Sequence, residues 1–125
     1  MNFEKVVAGF FIILAMTLNF GFFYGDATDI TLHSKYELFA AIIVNLIATT
    51  MKLGDKTQMG SVLLATSLVA DIQLIAAATI WTMGVYVYTM DAEMVALVVS
   101  LAGGALMANV ISVILYIGDT LKSKR

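Results

Sequence analysis

Gly60 to Tyr88 reads GSVLLATSLVADIQLIAAATIWTMGVYVY, an unbroken apolar run whose single charged side chain is Asp71. A hydrocarbon core of about 30 Å needs about 20 apolar residues of helix, so this run predicts a spanning helix with residues to spare. Lipid offers the backbone no hydrogen-bond partners, so spanning segments are helices or closed barrels. The run does not alternate as a barrel strand does. Working outward, three more runs satisfy the same rule: residues 6–24, residues 36–51 and residues 94–117. The second is short and tightly bounded. The fold expected is all-α: one integral-membrane domain over residues 1–125, a four-helix transmembrane bundle with spans 6–24, 36–51, 60–88 and 94–117.

Composition agrees. The chain is 61% hydrophobic and 13% charged, against about a quarter charged in soluble domains. A net charge of −2 with no basic patch excludes a nucleic-acid partner. Without cysteine, and with one histidine, no disulfide, thiol chemistry, metal site or cofactor is expected. No phosphate loop or nucleophile–base pair is present, so an enzyme has no anchor. The absence of proline predicts helices that run mostly unbroken. The first apolar run, about 19 residues, is longer than a signal-peptide core and no small-residue cleavage site follows it, so it is read as a span.

Charge sets the expected orientation. Lys5, Lys52, Lys56, Lys122, Lys124 and Arg125 fall on one side and Lys35 alone on the other, with Asp26, Asp29, Asp91 and Glu93. By the positive-inside rule both ends are cytoplasmic. Tyr24, Tyr36, Trp81, Tyr86 and Tyr88 cluster toward the outer ends as an interfacial belt. Glu37 is read as interfacial, and His33, alone in the outer loop, as solvated.

Two stretches align at an offset of 64 residues: Ala40–Ala48 followed by Leu53-Gly54-Asp55, and Gly104–Ser112 followed by Ile117-Gly118-Asp119. They predict two helical hairpins related by an axis along the membrane normal; the alternative is chance similarity between apolar helices.

Asp71 carries the strongest chemical signal. It lies about 16 Å into its span, where ionisable groups face a bundle interior or a water cavity. No Lys or Arg is expected inside any span to pair with it. It therefore stays protonated, or meets water, a bound cation, or amide and hydroxyl donors. Functionally it reads as a cation or proton site; structurally, as a neutral acid joining helices. Ser67 shares its stripe, with Thr66 and Gln73 beside it. Asn19, Asn45 and Asn109 put one amide in each other span, either bonding across helices or, for Asn45 and Asn109, lining a polar pathway with Asp71. Ser100, Gly104, Ala108 and Ser112 recur every four residues and form a packing face, inside the bundle or between subunits. Tyr24-Gly25-Asp26 is similar to the end of a potassium-channel filter, but Phe23 stands where the filter needs glycine.

Met1-Asn2-Phe3-Glu4-Lys5-Val6, Leu18-Asn19-Phe20-Gly21-Phe22, Tyr36-Glu37-Leu38-Phe39-Ala40-Ala41, Asn45-Leu46-Ile47-Ala48-Thr49, Gly54-Asp55-Lys56-Thr57-Gln58 and Leu64–Gln73 together resemble a small bacterial inner-membrane family that is a domain of unknown function. The resemblance covers nearly the whole chain and is most specific in the middle. It implies a multi-pass protein of the bacterial inner membrane, an association with potassium uptake of the Trk type, and Asp71 and Gln73 as candidate residues.

Two functions are expected from different classes. One is a homo-oligomeric channel or transport protein for a monovalent cation, potassium or proton, with Asp71 at its centre and Asn45, Asn109 and Thr66 nearby. Such a bundle is small, so a pore would form between protomers in closed symmetry. The other is an accessory or regulatory subunit that docks on a larger transporter partner through the small-residue face of the fourth helix.

Overall fold

A computed structural model describes residues 2–123; Met1, Lys124 and Arg125, which entered the reading above, lie outside the described residues. Four helices follow one another: α1 (Phe3–Phe23), α2 (Lys35–Lys52), α3 (Gln58–Tyr86) and α4 (Ala92–Ser123), with a single 3-10 turn, Ile30–Leu32, in the first connection. The described residues contain no strand.

Each helix starts on a polar cap that occupies an otherwise unpaired backbone N–H. Asn2 accepts from Lys5 N at 3.3 Å, Ser34 from Glu37 N at 3.4 Å, Thr57 from Gly60 N at 3.0 Å and Asp91 from Met94 N at 2.8 Å. The helices are longer than the apolar runs because capping and propensity, not hydropathy, set their ends. The exception is α3, which stops at Tyr86, two residues before the apolar run ends. Gly118 and Asp119 lie inside α4, whereas Gly54 and Asp55 lie in the turn after α2. The ends of the two aligned stretches therefore differ in structure, while their asparagines are both buried.

Consecutive helices pack side by side, and α4 returns against α1, closing a ring α1–α2–α3–α4. Tyr116 Oη near the end of α4 donates to Lys5 O near the start of α1 at 2.6 Å. The bundle thus has a termini end, which also holds the α2–α3 turn, and a loop end, which holds the 3-10 turn and the α3–α4 turn.

The exposure pattern is inverted relative to a water-soluble bundle. Ile72 is 67% exposed while Asp71 beside it is 5% exposed. Phe10, Phe20, Ile43, Leu68, Met107 and Ile114 face outward; Asn19, Asn45, Thr49, Lys52, Ser67, Asn109 and Ser112 face inward. Such an arrangement places polar groups where they find one another and apolar groups where lipid would surround them. Three helices, α1, α3 and α4, are long and apolar enough to cross a membrane. The second helix is not their equivalent. It has 18 residues, about 27 Å, and carries Lys35 and Glu37 at one end and Lys52 at the other. The short, tightly bounded second run thus differs from the other three, because charge at both ends leaves α2 no long apolar window.

Candidate functional site: a buried polar cluster

α2 and α3 meet through a polar layer toward the termini end. Asp71 lies about 20 Å into α3, with Thr49 opposite it in the last turn of α2. Thr49 Oγ1 is 2.5 Å from Asp71 Oδ2 and 2.8 Å from Asn45 O. The hydroxyl has one hydrogen for these two acceptors. It donates to Asp71, or it donates to Asn45 and accepts from a protonated Asp71. Asn45 Nδ2 donates to Ala41 O at 2.7 Å within its own helix. Asp71 Oδ1 is buried with no hydrogen-bond partner among the described residues.

One turn further toward the termini end sits Lys52, only 8% exposed. Its ammonium donates to Ser67 Oγ on α3 and, at 2.9 Å, to Ser112 Oγ on α4. Ser67 lies one turn before Asp71 on the same stripe of α3, so the ammonium and the carboxylate share one buried polar layer. This corrects the reading of Lys52 as a charge of the connecting loop: it is buried in the bundle, although its hydrogen bonds go to serines and not to Asp71. A lysine at a helix end has a flexible four-carbon stem, and here the stem turns into the bundle rather than out to water. A signal was present: Asn45, Thr49 and Lys52 are spaced four and three residues apart, so they share one helix face. Reading Lys52 only as an orienting loop charge hid it.

Below Lys52 a pocket of about 220 Å³ opens at the termini end, lined among others by Lys5, Lys52, Asp55, Tyr116 and Asp119. The Asp55 carboxylate there is held below the usual range, first by the Thr57 hydroxyl and then by the Thr57 N–H. In the other direction the axis is closed by apolar packing. Phe22, Leu38, Leu74 and Val98 are fully enclosed, and the Phe22 ring packs on Trp81 at 5.4 Å between centroids.

A second polar layer joins α1 to α4. Asn19 Nδ2 donates to Ala102 O at 2.9 Å, and its Oδ1 accepts from Leu106 N at 2.9 Å and from Asn109 Nδ2 at 3.0 Å. The amide thus bridges the two ends of one turn of α4. Small residues on α4 let α1 approach this closely: Ala102 and Ala105 are fully buried, and a Cβ at Gly103 would meet the Phe23 ring at 2.7 Å.

The structure therefore gathers Asp71, Ser67 and Asn45 into one cluster and ties Asn19 to Asn109 in another. It does not bring Thr66 or Gln73 to either. Thr66 donates to Leu63 O of its own helix at 2.8 Å. Gln73 lies over Gly104 and, with Thr66, lines a shallow groove between α3 and α4 on the bundle's outer surface. The stripe of small residues on α4 also divides. Gly104 meets Gln73, Ala108 is buried and Ser112 binds Lys52, while Ser100 alone is exposed. Its main part packs inside the bundle. Residues that sequence reasoning missed are Thr49, Lys52 and His33. The last is 4% exposed, not solvated, because the loop folds its ring down against Phe22. Glu37 is also more than interfacial: its carboxylate occupies the space a Cβ at Gly21 would need.

These features define an all-α bundle with three membrane-length helices and a polar interior. Over residues 32–120 the chain matches the model of a family of unknown function, DUF6394, and it belongs to that family. The match takes in α2, α3 and most of α4. No curated protein and no solved structure matches the chain.

Proposed function

We propose that the chain crosses a bacterial inner membrane four times with both ends in the cytoplasm, and that its buried Asp71–Lys52 cluster exchanges protons with the cytoplasmic side as part of monovalent-cation transport. Four crossings are supported by the lipid-like surface of α2, where Phe39, Ile43, Leu46 and Ile47 face outward. The orientation rests on the excess of Lys at the termini end. One observation carries the site: the buried Asp71 carboxylate has one oxygen without a partner and the other on Thr49, with the Lys52 ammonium between it and an open pocket.

The chemistry favours the proton over potassium. A buried ammonium in the same polar layer disfavours a metal ion there, and Lys52 lines the pocket through which one would enter. A proton needs only donors and acceptors close together: Asp71 with Thr49, and Lys52 with Ser67 and Ser112, are two such groups in one polar layer. A conducting path along the axis of one bundle is opposed by the apolar packing above Asp71, so transport would run between protomers of a homo-oligomer or require movement of that packing.

A second reading has its own support. Because the polar cluster opens at one end only, it also suits an accessory or regulatory subunit that responds to cytoplasmic conditions and acts on a transporter partner, of the Trk type if the resemblance in the sequence is followed. Flux through the purified protein in liposomes separates the two. Transport predicts proton or potassium flux that Asp71→Asn abolishes while the protein stays folded. Well-inserted protein without flux, together with a larger assembly after gentle extraction, moves the assignment to the accessory subunit.

A further inference from the structure

The first connection, residues 24–34, folds back over the loop end of the bundle and is tied there by His33. Nδ1 of its ring lies 2.6 Å from Phe22 O, and Nε2 lies 2.7 Å from Asp26 O. A carbonyl oxygen only accepts, and a neutral imidazole has a single N–H. Both contacts are hydrogen bonds only when both nitrogens carry a proton. The site suits that cation. Phe22 O is among the last carbonyls of α1, which lack partners within the helix. No basic residue lies in the last turn of α1, and a positive charge is favoured at a helix C-terminus. Gly25 makes the tight return possible, with φ at +122°.

Other charges near this ring are few. The connection carries Asp26 and Asp29, and the first turn of α2 carries Lys35 and Glu37, the last against Gly21. The last turn of α1 carries none, and the outer ends of α3 and α4 contribute Tyr86, Asp91 and Glu93. Among these Asp26 feels the His33 charge. Its carboxylate is held below the usual range, first by the Thr28 N–H, then by the Thr28 hydroxyl, with His33 a smaller influence.

We propose that His33 is a proton-operated latch: as imidazolium it ties the Phe22 and Asp26 carbonyls together and holds the loop over the bundle, and loss of its proton releases one of the two ties. The sign follows from the bonds. The latch is closed while both ring nitrogens carry a proton, the acid form, and loosens when one proton is lost. It is independent of the Asp71 cluster, which lies toward the opposite end.

The test uses the full chain in lipid nanodiscs with nitrogen-labelled histidine, which gives one signal set because His33 is the sole histidine. Ring-nitrogen NMR is read beside amide exchange of residues 24–34 across a pH series. The latch predicts both nitrogens protonated on the acid side. Once the ring loses its proton, loop exchange, corrected for intrinsic rate, should rise about tenfold, the loss of one charge-assisted bond. His33→Gln should exchange at the faster rate at every pH, while Asp26→Asn should keep the pH dependence. The proposal is overturned if one ring nitrogen stays bare across the series with loop protection unchanged, or if the pH dependence survives in His33→Gln. The wild-type spectrum decides the matter even if a variant fails to fold.

Discussion

At the loop end of the bundle Phe22, Leu38, Leu74 and Val98 are fully enclosed and touch almost nothing polar; at the termini end the same cross-section holds Lys52, Ser67, Ser112, Thr49 and Asp71. The first region is held by close packing, which in lipid replaces the hydrophobic effect as the force between helices. The second is held by hydrogen bonds among buried polar groups, which are costly when left alone. A seal and a chemically competent pocket are thus stacked on one axis. The difference teaches where change is tolerated: shape matters at one end, and charge balance at the other.

The sharpest way to break this comparison is at the seal. Phe22→Ala should remove about 3–5 kcal/mol and lower the midpoint of thermal unfolding in detergent. A variant as stable as the parent would mean the loop end is not a packed seal. At the other end Lys52→Met should cost about 3 kcal/mol, because it removes the donor to Ser67 and Ser112 and leaves the buried Asp71 in a layer without positive charge. Adding Asp71→Leu should restore most of that loss. If the double variant is instead worse than either single one, by the same unfolding measurement, the two residues are not balancing each other. Asn19→Leu, between these regions, should cost about 1 kcal/mol, seen as earlier detachment of α1 from α4 in amide exchange. The smallest effect sits outside both regions. Gly118 in α4 has nothing within 4 Å of an added Cβ, so Gly118→Ala should stabilise by about 0.5–1 kcal/mol through helix propensity.

Much of the inner cluster was visible in the sequence, but unevenly. Asp71, Ser67 and Asn45, and in the second layer Asn19 and Asn109, stood out because an isolated polar residue in an apolar run is costly to expose to an apolar solvent. Thr66 and Gln73 were drawn in by adjacency along the helix, yet adjacent residues point up to 100° or more apart, and both face a groove outside the cluster. The stripe Gly104, Ala108, Ser112 was recognised as a packing face, but spacing alone did not reveal that Gly104 meets Gln73 of α3 and Ser112 meets Lys52 of α2 in the same chain.

The sequence by itself determined the number of helices and the placing of polar residues inside and apolar residues outside. Those properties follow from local hydrogen bonding and from the solvent each residue type requires, and both are written residue by residue. Only the tertiary structure decided that Lys52 turns inward to Ser67 and Ser112, that Asn19 bridges a turn of α4, and that His33 lies beneath its own loop. Each depends on the direction of a flexible side chain or connection. That direction is set by partners 7 to 90 residues away, which no local pattern specifies.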